Sequence, residues 1–135
     1  LILVFQNGKG SHVNNVELGK HGRYRTNVWH YAGVNSFGSE QKNLKMHPTV
    51  KPVELVRDAI LDASKRGDIV LDAFLGSGTT LIAAEKAGRV CYGIEYEPLY
   101  VDTIIRRYCE LTGVWAVRKD DGKPYNELLK EKKNV

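Results

Sequence analysis

The chain has 135 residues, a formal charge of +4 and a pI near 9.1. That length holds one domain with a modest core, and nothing in the composition suggests disorder or a membrane span. The positive balance permits contact with nucleic acid without requiring it. Cys91 and Cys109 stand far apart and His12, His21, His30 and His47 fall at no ligand spacing, so no metal motif is recognisable and two reduced, packed thiols of an intracellular protein are expected.

In chain order, Leu1-Ile2-Leu3-Val4-Phe5 is uniformly apolar and ends at Gln6-Asn7-Gly8, so a core strand and turn are expected. No targeting segment opens the sequence, and Lys9 to His21 is polar. Lys20, Arg23 and Arg25 then cluster ahead of Asn27-Val28-Trp29-His30-Tyr31. Two readings fit this basic stretch: contact with DNA phosphates, or a solvated loop rim. Gly33 to Asn43 is a loop without periodicity.

Pro52 fits the first position of a helix, with Glu54 and Asp58 near its positive end, Lys65-Arg66 at its negative end, and Val56, Ala59, Ile60 and Ala63 as the stripe expected to pack. Ile69 to Phe74 reads as a parallel strand buried on both faces. It breaks at Gly76-Ser77-Gly78 into a helix from Thr80 to Ala87, for which Gly88 is the cap. Val90 to Glu95 is a second strand with a carboxylate at its end. A helix runs from Pro98 to Thr112 with Val101, Ile104, Ile105 and Tyr108 on its core stripe and Gly113 as cap. Trp115 to Tyr125 suggests a hairpin about Asp121-Gly122, followed by a charged helix from Asn126 to Lys133. The fold class is α/β, with a βαβ unit at its centre.

The glycines restrict the ligand. A dinucleotide fingerprint needs a small residue three positions after Gly78, where Leu81 stands, and no lysine follows either glycine as a phosphate-cradling loop requires. What remains is a tight turn, Asp72 able to meet an amino group, and Glu95 able to accept two ribose hydroxyls, about 20 residues beyond the glycines. S-adenosyl-L-methionine (AdoMet) carries those groups and no phosphate.

Asp72-Ala73-Phe74-Leu75-Gly76-Ser77-Gly78-Thr79-Thr80 resembles the AdoMet-binding motif I of DNA amino-methyltransferases, which methylate N6 of adenine or N4 of cytosine. His47-Pro48-Thr49-Val50-Lys51-Pro52 is similar to motif X, and Tyr92-Gly93-Ile94-Glu95 to motif II. The order X, I, II matches the circularly permuted β-type arrangement over most of Arg25 to Gly113. Ala73 departs from the proline often found there.

The resemblance implies a partial Rossmann-like methyltransferase sheet flanked by helices, with residues 1–46 as a possible DNA-contacting segment, 47–113 as the AdoMet-binding core and 114–135 as a terminal hairpin and helix of the same domain. It implies AdoMet as cofactor, held by Asp72, Phe74, Gly76, Gly78 and Glu95 with Thr49, Lys51 and Thr80 nearby. It further implies double-stranded DNA as partner, possible contact at Lys20, Arg23 and Arg25, and a bacterial or phage cytoplasmic location. Without the resemblance, His47 and Lys51 read as an ordinary loop leading into a helix, motif I as a plain strand-to-helix turn, and Phe74 as a core aromatic.

The family's catalytic motif, Asp or Asn followed by Pro-Pro and an aromatic residue, is missing, since the chain contains no Pro-Pro. No catalytic residue is therefore assigned, and the chain is expected to be the carboxyl-terminal, cofactor-holding portion of a longer protein. Rival readings are a non-catalytic AdoMet-binding module, an RNA methyltransferase and an NAD-linked oxidoreductase, the last opposed by Leu81.

Overall fold

The computed structural model describes residues 2–11, 13, 15–17, 19–22, 26–31 and 50–133, the side chains of 131–133 aside. Among the described residues six elements follow one another: α1 (Val53–Ala63), β1 (Ile69–Asp72), α2 (Thr79–Ala87), β2 (Val90–Gly93), α3 (Pro98–Thr112) and α4 (Tyr125–Lys133). Pro52 precedes α1 with φ −58°, already set for the helix, and has no N–H to leave unsatisfied. The buried face of α1 is Val53 and Ile60, with Val56 partly covered, an i, i+3, i+7 stripe. Ala63, expected on that stripe, is exposed. The bulkier Val53, one turn before Val56, rotates the packed face away from it. The helix also ends at Ala63, so Lys65 and Arg66 stand beyond it in a turn where the Lys65 N–H donates to Asp68 Oδ2 at 2.7 Å.

β1 and β2 pair in parallel, with Ile69 opposite Val90 and Asp72 opposite Gly93. The crossover between them is α2, and its small Ala83 and Ala84 are fully buried where the helix meets the core. Val53, Ile60, Ile82, Ala83, Ala84 and Ala87 form that core, with Val70, Cys91 and Tyr108 packed against it. Burying a side chain such as Ile60 or Ile82 contributes roughly 1.5–3 kcal/mol. α2 ends at Gly88, whose N–H reaches the Ala84 and Glu85 carbonyls as the sequence predicts. Arg89 ties the carboxyl ends of α1 and α2 together, donating to Ser64 Oγ, the Ser64 carbonyl and the Ala87 carbonyl.

Three further expectations change. Ile69 to Phe74 is a strand only as far as Asp72 and is covered on one face, because Ile69 and Leu71 are 65% and 71% exposed while Val70 faces the helices. Ile2 to Phe5 is neither strand nor core, with Phe5 86% exposed. An apolar run becomes a core strand only where it finds a neighbour, and the sheet among the described residues has two strands, neither of them this one. The terminal hairpin is reduced to one antiparallel bridge, Val117 with Pro124, flanked by Arg118 N–H to the Lys123 carbonyl at 2.9 Å. Pro124 has no N–H to extend the ladder.

α4 begins at Tyr125, which is buried and donates its hydroxyl to the Asp102 carbonyl of α3 at 3.4 Å. Segment 26–31 docks on α1 through Tyr31, whose hydroxyl donates to Asp58 at 2.5 Å. No helix among the described residues is long and apolar enough to cross a membrane.

Candidate functional site

The two strands end together, and the ladder continues past them. The Ile94 N–H donates to the Asp72 carbonyl and the Leu75 N–H to the Ile94 carbonyl, both at 2.9 Å. This draws the glycine loop of β1 alongside the segment carrying Glu95. The approach is close: a Cβ on Gly93 would stand 2.5 Å from a Leu75 methyl. A side chain at Gly93 would therefore have to push the end of Leu75 aside. At Gly78 glycine is required by conformation, since φ is +81°, and a Cβ would lie 3.0 Å from Ile104 of α3.

Between these ends lies an open cavity of about 300 Å³ lined by Lys51, Asp72, Phe74, Gly76, Thr80 and Glu95, together with Val56, Leu75, Ser77, Thr79 and Tyr100. Its size is at the small end of the roughly 300–1,000 Å³ usual for ligand clefts. Glu95 Oε2 accepts the Gly76 N–H at 2.7 Å and Oε1 accepts the Glu97 N–H at 2.9 Å. These two backbone N–H groups orient the Glu95 carboxylate at the edge of the cleft. Asp72 Oδ1 accepts the Phe74 N–H at 3.0 Å, which folds the loop back over the strand end. Phe74 is 91% exposed at the rim, so the plain core-aromatic reading is excluded. Burial pushes the Cys91 thiol up, with the Asp72 charge adding to it, and its side chain packs against the core.

Six of the eight cofactor residues expected from the sequence line one cleft. Gly78 stands behind it as the residue preceding α2, and Thr49 lies outside the described residues. Tyr100, Ser77 and Thr79 were missed. The last two flank the glycines and could have been read from the motif itself. Tyr100 sits in the first turn of α3, where Pro98 and the Glu97 cap bring the helix start beside the strand ends. Of the basic residues, Arg23 and Arg25 lie outside the described residues. Lys20 is exposed in a turn, its ammonium 3.9 Å from Glu17, and does not line the cleft.

A sequence profile of the N6_N4_Mtase family, described as DNA methylase, matches residues 5–106. The chain belongs to this DNA methylase family. Among individual methylases it is 38% identical over 92 residues to the type II methyltransferase M2.MboI of Moraxella bovis, covering 68% of this chain and 33% of that one. It is 41% identical over 87 residues to the DNA adenine methyltransferase YhdJ of Escherichia coli, covering 64% and 29%. The solved PvuII DNA methyltransferase, cytosine-N4-specific, superposes with a TM-score of 0.54 at 29% identity, over 62% of this chain and 32% of that one. The methylase fold expected from the motifs is thereby found, and the chain spans about a third of the length of the curated relatives it matches.

Proposed function

We propose that the cleft at the carboxyl ends of β1 and β2 binds AdoMet, and that this chain is the cofactor-holding part of a DNA methyltransferase acting on N6 of adenine or N4 of cytosine. The observation that carries the reading is that Asp72 and Glu95, from neighbouring strand ends, line one cleft bounded by a loop whose Gly76 and Gly78 hold left-handed backbone. The donor set suits the ligand. Glu95 accepts the ribose hydroxyls, Asp72 meets an amino group, and Lys51, with Thr49, meets the methionine carboxylate. Phe74 gives apolar contact and attraction to the sulfonium, Gly76 and Thr80 shape the floor, and Gly78 supports the loop from behind.

Bound AdoMet supplies an electrophilic methyl group. The residues here orient it by fixing both ends of the nucleoside, so rate enhancement at this site is alignment. A base in duplex DNA reaches such a cleft by flipping out of the stack. Acceptors for its exocyclic amine and an aromatic residue to stack on it come from a segment carrying the Pro-Pro motif, which this sequence lacks. Lys20, Arg23 and Arg25 are assigned to phosphate contact at the edge of that assembly. The bacterial relatives favour a cytoplasmic location.

Equilibrium dialysis with labelled AdoMet, followed by transfer assays on DNA and on competing RNA, tests the reading. Binding without methyl incorporation by this chain alone, and incorporation into DNA once a segment bearing the Pro-Pro motif is supplied, is the expected result. Failure to bind AdoMet, robust incorporation by the chain alone, or a preference for RNA would overturn the corresponding part.

A further inference from the structure

The glycine loop is held from behind by α3 as well as by its own strand. Arg107 of α3 donates from Nη1 to the Ser77 carbonyl. The N–H on the far side of that same peptide unit, Gly78, donates to the Leu75 carbonyl at 2.9 Å. The peptide unit carrying the Leu75 carbonyl presents its own N–H, from Gly76, to Glu95 Oε2 at 2.7 Å. A guanidinium and a carboxylate thus terminate a run of two peptide dipoles aligned head to tail, and hydrogen bonds in such a run polarise one another. Ile104, one turn before Arg107 and buried, packs against Gly78, so the same face of α3 supplies both the apolar and the polar backing.

From this geometry we propose that Arg107 is a positioning residue of the cofactor site, fixing the glycine loop and, through it, the Glu95 carboxylate. The proposal rests on the AdoMet reading for its ligand. The guanidinium holds the Ser77 carbonyl turned toward α3, so the two loop peptides keep the orientation that hands the Gly76 N–H to Glu95. Without it, the loop loses the contact that fixes the Ser77–Gly78 peptide plane, and Glu95 loses part of what aims its second oxygen. Lysine at this position keeps a charge but offers a compact ammonium in place of a planar fork, so it restores the contact in part.

The test compares the protein with Arg107→Lys and Arg107→Met, measuring AdoMet affinity by equilibrium dialysis and the Gly76 and Gly78 amide resonances by NMR without ligand. Arg107→Met is expected to weaken AdoMet binding about tenfold, as loss of a charge-assisted hydrogen bond does, and to shift both amides; Arg107→Lys falls between it and the parent on both. A merely structural arginine would lower melting temperature and leave the Gly76 amide and the affinity, measured well below melting, at parent values in both variants. That result overturns the proposal. Should Arg107→Met fail to fold, Arg107→Lys decides alone: an intermediate affinity supports positioning and a parent-like one with unmoved amides contradicts it. If the parent itself binds no AdoMet, the functional reading fails, and the amide shifts of the unliganded variants still decide whether Arg107 sets the loop.

Discussion

The two faces of the sheet differ sharply although they come from the same eight residues. Val70 and Cys91 point toward α1 and α2 and join the core, whereas Ile69, Leu71, Val90 and Tyr92, paired across the register, form an apolar face exposed among the described residues. Alternation along a strand guarantees two faces, and what covers each is decided by other elements. Among the described residues, helices α1 and α2 cover one side only, and the packed core draws on that side. The cleft is independent of that difference, because it lies at the strand ends and is held by backbone hydrogen bonds and the start of α3.

Several substitutions break or sharpen this contrast. The largest effect is expected from Ile82→Ala on the covered face, about 2–5 kcal/mol from lost burial and the cavity left behind, read by urea denaturation. Gly93→Ala, also on that side, forces a methyl into Leu75 and is expected to cost about 1–3 kcal/mol while displacing the loop beside Glu95. Its loss of AdoMet binding should exceed that of Ile82→Ala, measured where both are folded.

The Glu54 link between α1 and α2 is weaker. Its carboxyl is held below the usual value of 4.5 chiefly by the Lys86 hydrogen bond, with Arg57 assisting against a burial effect of opposite sign. A depressed folded value means the stabilisation is fully present above the unfolded value and is lost as pH falls through the folded one. Glu54→Gln should therefore cost less than about 1 kcal/mol at neutral pH, the pair being half-exposed, and the two proteins should converge as pH falls below 4.5. The smallest effect is expected from Leu71→Thr on the uncovered face, within about 0.5 kcal/mol in this chain. A cost approaching that of Ile82→Ala would mean that something packs on that face in solution.

The βαβ unit was legible because its boundaries are chemical: Gly76 and Gly78 form the turn between β1 and α2, Gly88 caps α2, and Glu95 follows two residues after the end of β2. The ends of those strands carry the cleft, so most of the site was legible with them. Ile2 to Phe5 was misread because apolarity reports a wish for burial and says nothing of a partner. The stripe of α1 was misread at Ala63 because several small residues share that spacing, and only packing chooses which face turns inward. Two-sided burial of β1 failed for the same reason. Tyr100 and Arg107 were invisible because a residue on a later helix reaches the glycine loop only through the tertiary approach of α3.

The claim on which the account depends is that two neighbouring carboxylates grip one ligand. AdoMet titrations of the parent, Asp72→Ala and Glu95→Ala, each checked for retained helix content, measure it directly. Saturable binding by the parent, weakened about tenfold or more by either substitution, is the predicted result. Parent-like affinity in both variants would contradict it.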